Sequence, residues 1–201
     1  MSVQQHTYLT PEEYLAIERR AEYKSEYIDG VMYAMSGTSL DPNAMSGASF
    51  KHNTIVANVI IEIGRQLRGG TCRALPSDIK VRMPDSRRFF YPDISVVCGE
   101  PQFHDDRTDV LLNPTLIVEV LSESTAAFDR GEKFQAYQQI DSLQEYLLIA
   151  QDKPIVEQYV RQSSNAWTYT AAIGLQGSLQ FPSIECTLNL NAVYDKVIEN
   201  S

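Results

Sequence analysis

Leu116-Ile117-Val118-Glu119-Val120-Leu121, followed by Asp129-Arg130-Gly131-Glu132 and then by Tyr146-Leu147-Leu148-Ile149, decides the fold class. The first run is apolar except for one Glu, the pattern of a strand in the middle of a sheet that is covered on both faces. Asp129 to Glu132 has the form of a capping box and predicts a helix that starts there and runs through Phe134, Tyr137 and Ile140. Strand, helix and strand in succession over residues 116 to 149 imply a parallel crossover. With the hairpins described below, this predicts an α/β architecture: a mixed sheet flanked by helices.

Towards the N-terminus, Thr10-Pro11-Glu12-Glu13 supplies an N-cap, a Pro at the first helical position and a Glu three residues after the cap, so a helix is expected as far as about Arg20. Ser25 to Ile28 and Val31 to Met35 flank Asp29-Gly30, the dipeptide of a tight hairpin turn. The stretch from Thr38 to Phe50 has no period and reads as a loop. From Lys51 to Arg68, Ile55, Val56, Val59, Ile60, Ile63 and Leu67 recur at helical spacing, and Gly69-Gly70 stops the helix. Strands are expected at 71–75, 79–83, 89–91 and 93–98, then, after a polar loop at 99–113, at 116–121, 146–149, 155–160 and 167–172. A short helix near Leu190 to Val197 ends the chain. Without repeats, low-complexity segments or a linker, residues 1–201 read as one domain.

Composition narrows the class. The chain has 201 residues, 43% of them hydrophobic, with a net charge of −9. That is enough to build a core without staples. Cys72, Cys98 and Cys186 are odd in number and lack C-x-x-C spacing, so they are expected as buried free thiols in a reducing cytoplasm. No apolar stretch approaches the roughly 20 residues of a membrane span, so no membrane partner is expected. The acidic total speaks against nucleic-acid binding, but its distribution is uneven: residues 65 to 88 carry a net +5 and the remainder −14. Arg65, Arg68, Lys80, Arg82, Arg87 and Arg88 are therefore candidates for a DNA-contacting face, or else the solvated ends of helices and strands.

Two carboxylates in apolar strand segments point to chemistry. Asp93 opens Asp93-Ile94-Ser95-Val96-Val97-Cys98 directly after Pro92, and Glu119 is central to its run. A buried, unpaired carboxylate costs several kcal/mol, so each needs a cation or a hydrogen-bond donor. Two from neighbouring strands suit a hard divalent metal that takes oxygen ligands. Either acid taken alone is better explained by a hydrogen bond or a salt bridge to Arg or Lys.

Pro92-Asp93, then Glu119-Val120-Leu121, Ser122 to Thr125, Asp129-Arg130-Gly131-Glu132-Lys133 and Tyr137, together resemble the Uma-type family of restriction-endonuclease-like proteins in the PD-(D/E)xK nuclease superfamily. Tyr14-Leu15, Glu26-Tyr27-Ile28-Asp29-Gly30, His52 and the strand from Tyr91 to Val97 extend the resemblance over almost the whole chain. The superfamily motif expects a lysine where Leu121 stands; the resemblance moves that role to Lys133 on the following helix.

The resemblance implies a restriction-endonuclease-like fold and a Mg²⁺- or Mn²⁺-dependent DNA endonuclease, dimeric so that two sites can cut both strands. Asp93 and Glu119 would hold the metal, Lys133 would orient water or neutralise the phosphate, and Glu26 would complete the catalytic set. From the residues themselves, Lys133 is also explained by an i,i+4 pair with Asp129, and Glu26 by a cross-strand ion pair. His52, at a helix start, is a candidate phosphate contact; Asp78 is a candidate supporting acid; Tyr137 is read as a packing neighbour. The alternative is a DNA-binding or scaffold protein that keeps the fold with little or no turnover. A partner-binding domain with purely structural carboxylates is a third reading. Motifs of P-loop, dinucleotide-binding and nucleophile-elbow proteins are absent.

Overall fold

The computed structural model describes residues 8–35 and 49–198. The loop expected from Thr38 lies almost wholly outside the described residues.

The elements follow in the order α1 (Pro11–Glu18), β1 (Ser25–Ile28), β2 (Val31–Ala34), α2 (Phe50–Gln66), β3 (Cys72–Pro76), β4 (Lys80–Arg82), β5 (Arg88–Phe90), β6 (Ile94–Cys98), β7 (Val110–Leu111) and β8 (Leu116–Leu121). After β8 come α3 (Ala126–Phe128), a π-helical turn (Asp129–Lys133) and α4 (Phe134–Tyr137). The chain ends with β9 (Glu145–Ala150), β10 (Ile155–Ser163), β11 (Ala166–Ile173), β12 (Ser178–Phe181), β13 (Cys186–Asn189) and α5 (Leu190–Val193).

The main sheet has the order β11-β10-β9-β8-β6-β3, and β8 and β9 form its parallel pair, as the strand-helix-strand reading requires. All six residues of β8 are buried, so this strand is central and covered on both sides. Side chains alternate across a strand. Leu116, Val118 and Val120 therefore join the core beneath α2, with Ile55, Val59 and Ile63. Ile117 and Leu121 face the opposite core, with Phe134, Tyr137 and Tyr146. Glu119 has the parity of that second face, so the sheet aims a carboxylate at the segment from α3 to α4.

A second sheet, β2-β1-β5-β4-β7, carries the N-terminal hairpin. The capping box at Thr10 is formed as expected, with reciprocal bonds between Thr10 and Glu13. Asp29 and Gly30 both take positive φ, which the tight turn between β1 and β2 requires.

Four expectations are corrected. Cys72 and Cys98 are not free thiols: they face each other across the antiparallel β3–β6 pair and form a disulfide, leaving Cys186 as the free cysteine among the described residues. Asp129 is not an N-cap: the helical segment starts earlier, at Ala126, and Asp129 is buried inside the π-helical turn. The polar loop at 99–113 contains the short strand β7, and the hairpin β12–β13 was not anticipated. β7 is hidden because two residues show no period, whereas β12 and β13 do alternate polar and apolar residues, a legible signal that runs for only four residues in each.

Candidate active site

Glu26, Asp93, Glu119, Asp129 and Lys133 come from four separate parts of the chain and line one cavity of about 590 Å³. β1 supplies Glu26, β8 supplies Glu119, and the π-helical turn supplies Asp129 and Lys133. Asp93 immediately precedes β6. Ile94 pairs with Val118 across the antiparallel β6–β8 register, so one residue further along Asp93 comes level with Glu119. Its Oδ2 accepts the Val120 backbone N–H at 2.7 Å and lies 3.1 Å from His52 Nε2.

Lys133 is the hub. Its Nζ lies 2.8 Å from Glu119 Oε1, 3.2 Å from Glu26 Oε1 and 3.7 Å from Asp129 Oδ1, and it sits over the Phe90 ring. The i,i+4 contact with Asp129 is therefore present, but it is one of three carboxylate contacts of a buried ammonium. Glu119 Oε1 also accepts the Tyr137 hydroxyl at 3.0 Å, and Glu26 Oε1 accepts the Tyr91 backbone N–H at 3.2 Å. Tyr137 is thus a hydrogen-bond donor to the site as well as a packing neighbour. Across the hairpin Glu26 is opposite Tyr33, so it has no cross-strand ion pair there.

A π-helical turn presents two of these side chains. Its wider winding replaces regular α geometry between α3 and α4, and it carries both Asp129 and Lys133. Asp129 escaped the sequence reading because its spacing to Glu132 imitates a cap.

Burial sets the electrostatics. It pushes the Glu119 carboxyl well above the usual carboxylate range, against the opposing pull of Lys133 and with help from Asp129 and Asp93. Burial also raises Glu26. The same burial works against the Lys133 ammonium, but Glu119 and Glu26 more than offset it, so Lys133 is held firmly protonated. One lysine does not balance these acids. Glu26 Oε2 has no hydrogen-bond partner among the described residues. An all-oxygen set of acidic side chains around one lysine, with an unsatisfied buried oxygen on Glu26, is chemically compatible with a hard divalent cation such as Mg²⁺. The described residues do not bring three His, Cys, Asp or Glu side chains together in a ready-made metal cage. Water or substrate oxygens would fill the remaining positions, as is common for Mg²⁺.

The other candidates are dispersed. Asp78 is exposed and pairs with Lys24 at 2.6 Å, away from the cavity. Lys80 is buried, 3.0 Å from Asp109 and 3.2 Å from the Tyr91 hydroxyl, so it is not available to a DNA phosphate. Arg82 is paired with His104, Arg87 and Arg88 with Asp29, and Arg65 with Glu62. Arg68 is exposed just beyond α2. None of these six lines the cavity.

A family model described as "Putative restriction endonuclease", that of the Uma2 family, matches residues 11–191. The chain belongs to the Uma2 family. Among its relatives is the protein sll1609 of Synechocystis sp., 35% identical over 173 residues, which cover 86% of this chain and 92% of the relative. A second Synechocystis protein, slr1290, is 34% identical over 188 residues, covering 92% of this chain and 91% of the relative. Both are described only as uncharacterized. A crystal structure from Anabaena variabilis, titled a "putative nuclease belonging to DUF820", superposes with a TM-score of 0.72 at 18% identity and covers 94% of this chain and 99% of its own. At that identity the likeness concerns the fold. The Uma2 assignment agrees with the resemblance carried by Asp93, Glu119 and Lys133, and the mixed sheet flanked by helices agrees with the expected fold class. Among the described residues, no helix is long and apolar enough to cross a membrane.

Proposed function

We propose that this Uma2 protein is a Mg²⁺- or Mn²⁺-dependent DNA endonuclease whose site comprises Asp93, Glu119, Lys133 and Glu26. The observation that carries the proposal is Lys133 Nζ held between Glu119 and Glu26, with Asp93 level with Glu119 on the neighbouring strand. A bound Mg²⁺ would acidify water and offset charge on the scissile phosphate. Asp93 and Glu119 would hold the cation. The Val120 N–H and His52 fix the Asp93 carboxylate, while Tyr137 fixes Glu119. Lys133 stabilises the negative charge that develops on phosphate oxygens, an electrostatic role that depends on its being held in position beforehand. Glu119 and Glu26, with Asp129 beside them, keep the ammonium charged.

A second reading has its own support. Glu119 Oε1 is already engaged by Lys133 and Tyr137, which is what a retained but inactive site would also show. In that case the protein binds DNA, as the scaffold alternative holds, without cutting it.

Calorimetric titration of Mg²⁺ and Mn²⁺ into wild type and the Asp93→Ala/Glu119→Ala variant, followed by incubation with plasmid DNA, separates the two. Metal binding lost in the variant, with nicking that needs Lys133, supports the nuclease. DNA binding without nicking, unchanged in Lys133→Ala, supports the scaffold.

A further inference from the structure

We infer that the strand this site accepts is single-stranded or locally unpaired DNA, and that Phe50 stacks on one of its bases. The inference rests on the nuclease reading and names the substrate form of that same site.

Charge is the first observation. All 17 Lys and Arg of the chain lie within the described residues, since segments 1–7, 36–48 and 199–201 contain none. Only two of them, Lys51 and Lys133, line the cavity, against six carboxylates, and no arginine lines it among the described residues. Of the two, Lys133 is committed to its acids, and Lys51 lies 3.6 Å from Asp152. Duplex DNA is bound chiefly by cations that neutralise many closely spaced phosphates. Among the described residues the cavity lining offers no such track for either form of DNA, so the preference for an unpaired strand rests on the aromatic side chain beside the cavity.

The aromatic side chain is the second observation. Phe50 is the first residue of α2, lines the cavity next to Lys51 and is 84% exposed, the most exposed of the large hydrophobic side chains in the described residues. A phenyl ring left in water beside an acidic cavity is poorly suited to phosphate and well suited to the face of a base. Proteins that bind unpaired strands combine a positively charged groove with such aromatic platforms, which accept any base because every base has a π-face; here the platform is present and a bound divalent cation would supply positive charge. Size agrees: about 590 Å³ is within the range of pockets that enclose small molecules, so it admits a nucleotide that has left the helical stack.

The test is fluorescence anisotropy with a fluorescein-labelled twelve-nucleotide single strand and the matching duplex. It is run in CaCl₂, which supplies an oxygen-seeking cation, on wild type, Phe50→Ala and Phe50→Trp at several salt concentrations. The expected result is single-strand binding at least about tenfold tighter than duplex binding, with a shallow salt dependence. Phe50→Ala should weaken single-strand binding by about 5- to 150-fold, and Phe50→Trp should retain it. Because Phe50 is exposed, unchanged melting temperatures are expected for both variants. Duplex bound as tightly as single strand, or Phe50→Ala binding like wild type, overturns the inference. Lys133-dependent plasmid nicking would leave the nuclease reading intact in either case. No binding of either DNA, together with no nicking, overturns both.

Discussion

Lys133 Nζ lies 2.8 Å from Glu119 Oε1 with both side chains about 5% exposed, so the charge on the helix and the charge on the central strand define each other. Removing the ammonium leaves Glu119, Glu26 and Asp129 without their shared cation. Taking one partner from a buried ion pair costs about 3–5 kcal/mol. Lys133→Ala is expected to lower the melting temperature by about 6–20 °C. If the site cuts DNA, turnover should fall by about 100-fold or more. Calorimetric melting and a single-turnover plasmid assay check the two effects separately. A variant that melts like wild type would show that the pair contributes nothing to stability.

Metal should stabilise the protein through the same acids. A ligand present at a hundred times its Kd adds about 2.7 kcal/mol, or about 5–10 °C in a chain of this size. Saturating Mg²⁺ is expected to raise the melting temperature by that amount in wild type. The rise should vanish in Asp93→Ala/Glu119→Ala, and a rise that persists there would place the cation elsewhere.

The response to pH has two opposing parts. Asp109 accepts from Arg19 at 2.6 Å and from Lys80 at 3.0 Å, and these bonds hold its carboxyl well below the usual range. A carboxyl lowered on folding contributes stability above its unfolded value of about 4, and that contribution is lost as pH falls below it. Glu26 and Glu119, raised by burial, have the opposite sign: they oppose folding as pH rises above about 4.3 towards their folded values. Metal-free protein should therefore be most stable on the mildly acidic side, with Mg²⁺ restoring stability at pH 8. Asp109→Asn should cost about 2 kcal/mol at neutral pH, less than a fully buried pair because the carboxylate is partly exposed. Thermal melts from pH 4 to 9 with and without Mg²⁺ check both parts, and a metal-free optimum above pH 8 would contradict the raised glutamates.

The Cys72–Cys98 disulfide, with a sequence separation of 26, closes a loop that contains β4, β5 and Asp93. Chain-entropy arguments give such a loop about 3.5 kcal/mol of stabilisation. Reduction, or the Cys72→Ser/Cys98→Ser variant, is expected to lower the melting temperature by about 7–14 °C. Thiol titration of unfolded protein should count one free cysteine before reduction and three after it.

Tyr137→Phe tests the remaining contact. It deletes the 3.0 Å bond to Glu119 and should cost about 1 kcal/mol, with the ring packing kept. Denaturant titration measures that loss.

The sequence alone was enough for the covered central strand, the hairpin at Asp29-Gly30, the capped first helix and the placement of Asp93 and Glu119 on neighbouring strands, because each rests on a local pattern or on an acid placed among apolar residues. Local patterns also misled: Asp129 looked like a cap because its neighbours were right for one, and an odd number of cysteines without C-x-x-C spacing hid the pairing of Cys72 with Cys98. Tertiary structure decided what depends on contacts between distant segments. It brought Glu26, some 107 residues before Lys133, to within 3.2 Å of it, linked Tyr137 to Glu119, sent Asp78 and Lys80 away from the site, and left Phe50 exposed beside the cavity. The physical reason is that periodicity and turn chemistry are properties of neighbours in sequence, whereas burial and the pairing of charges are fixed only when the sheets and helices close around them.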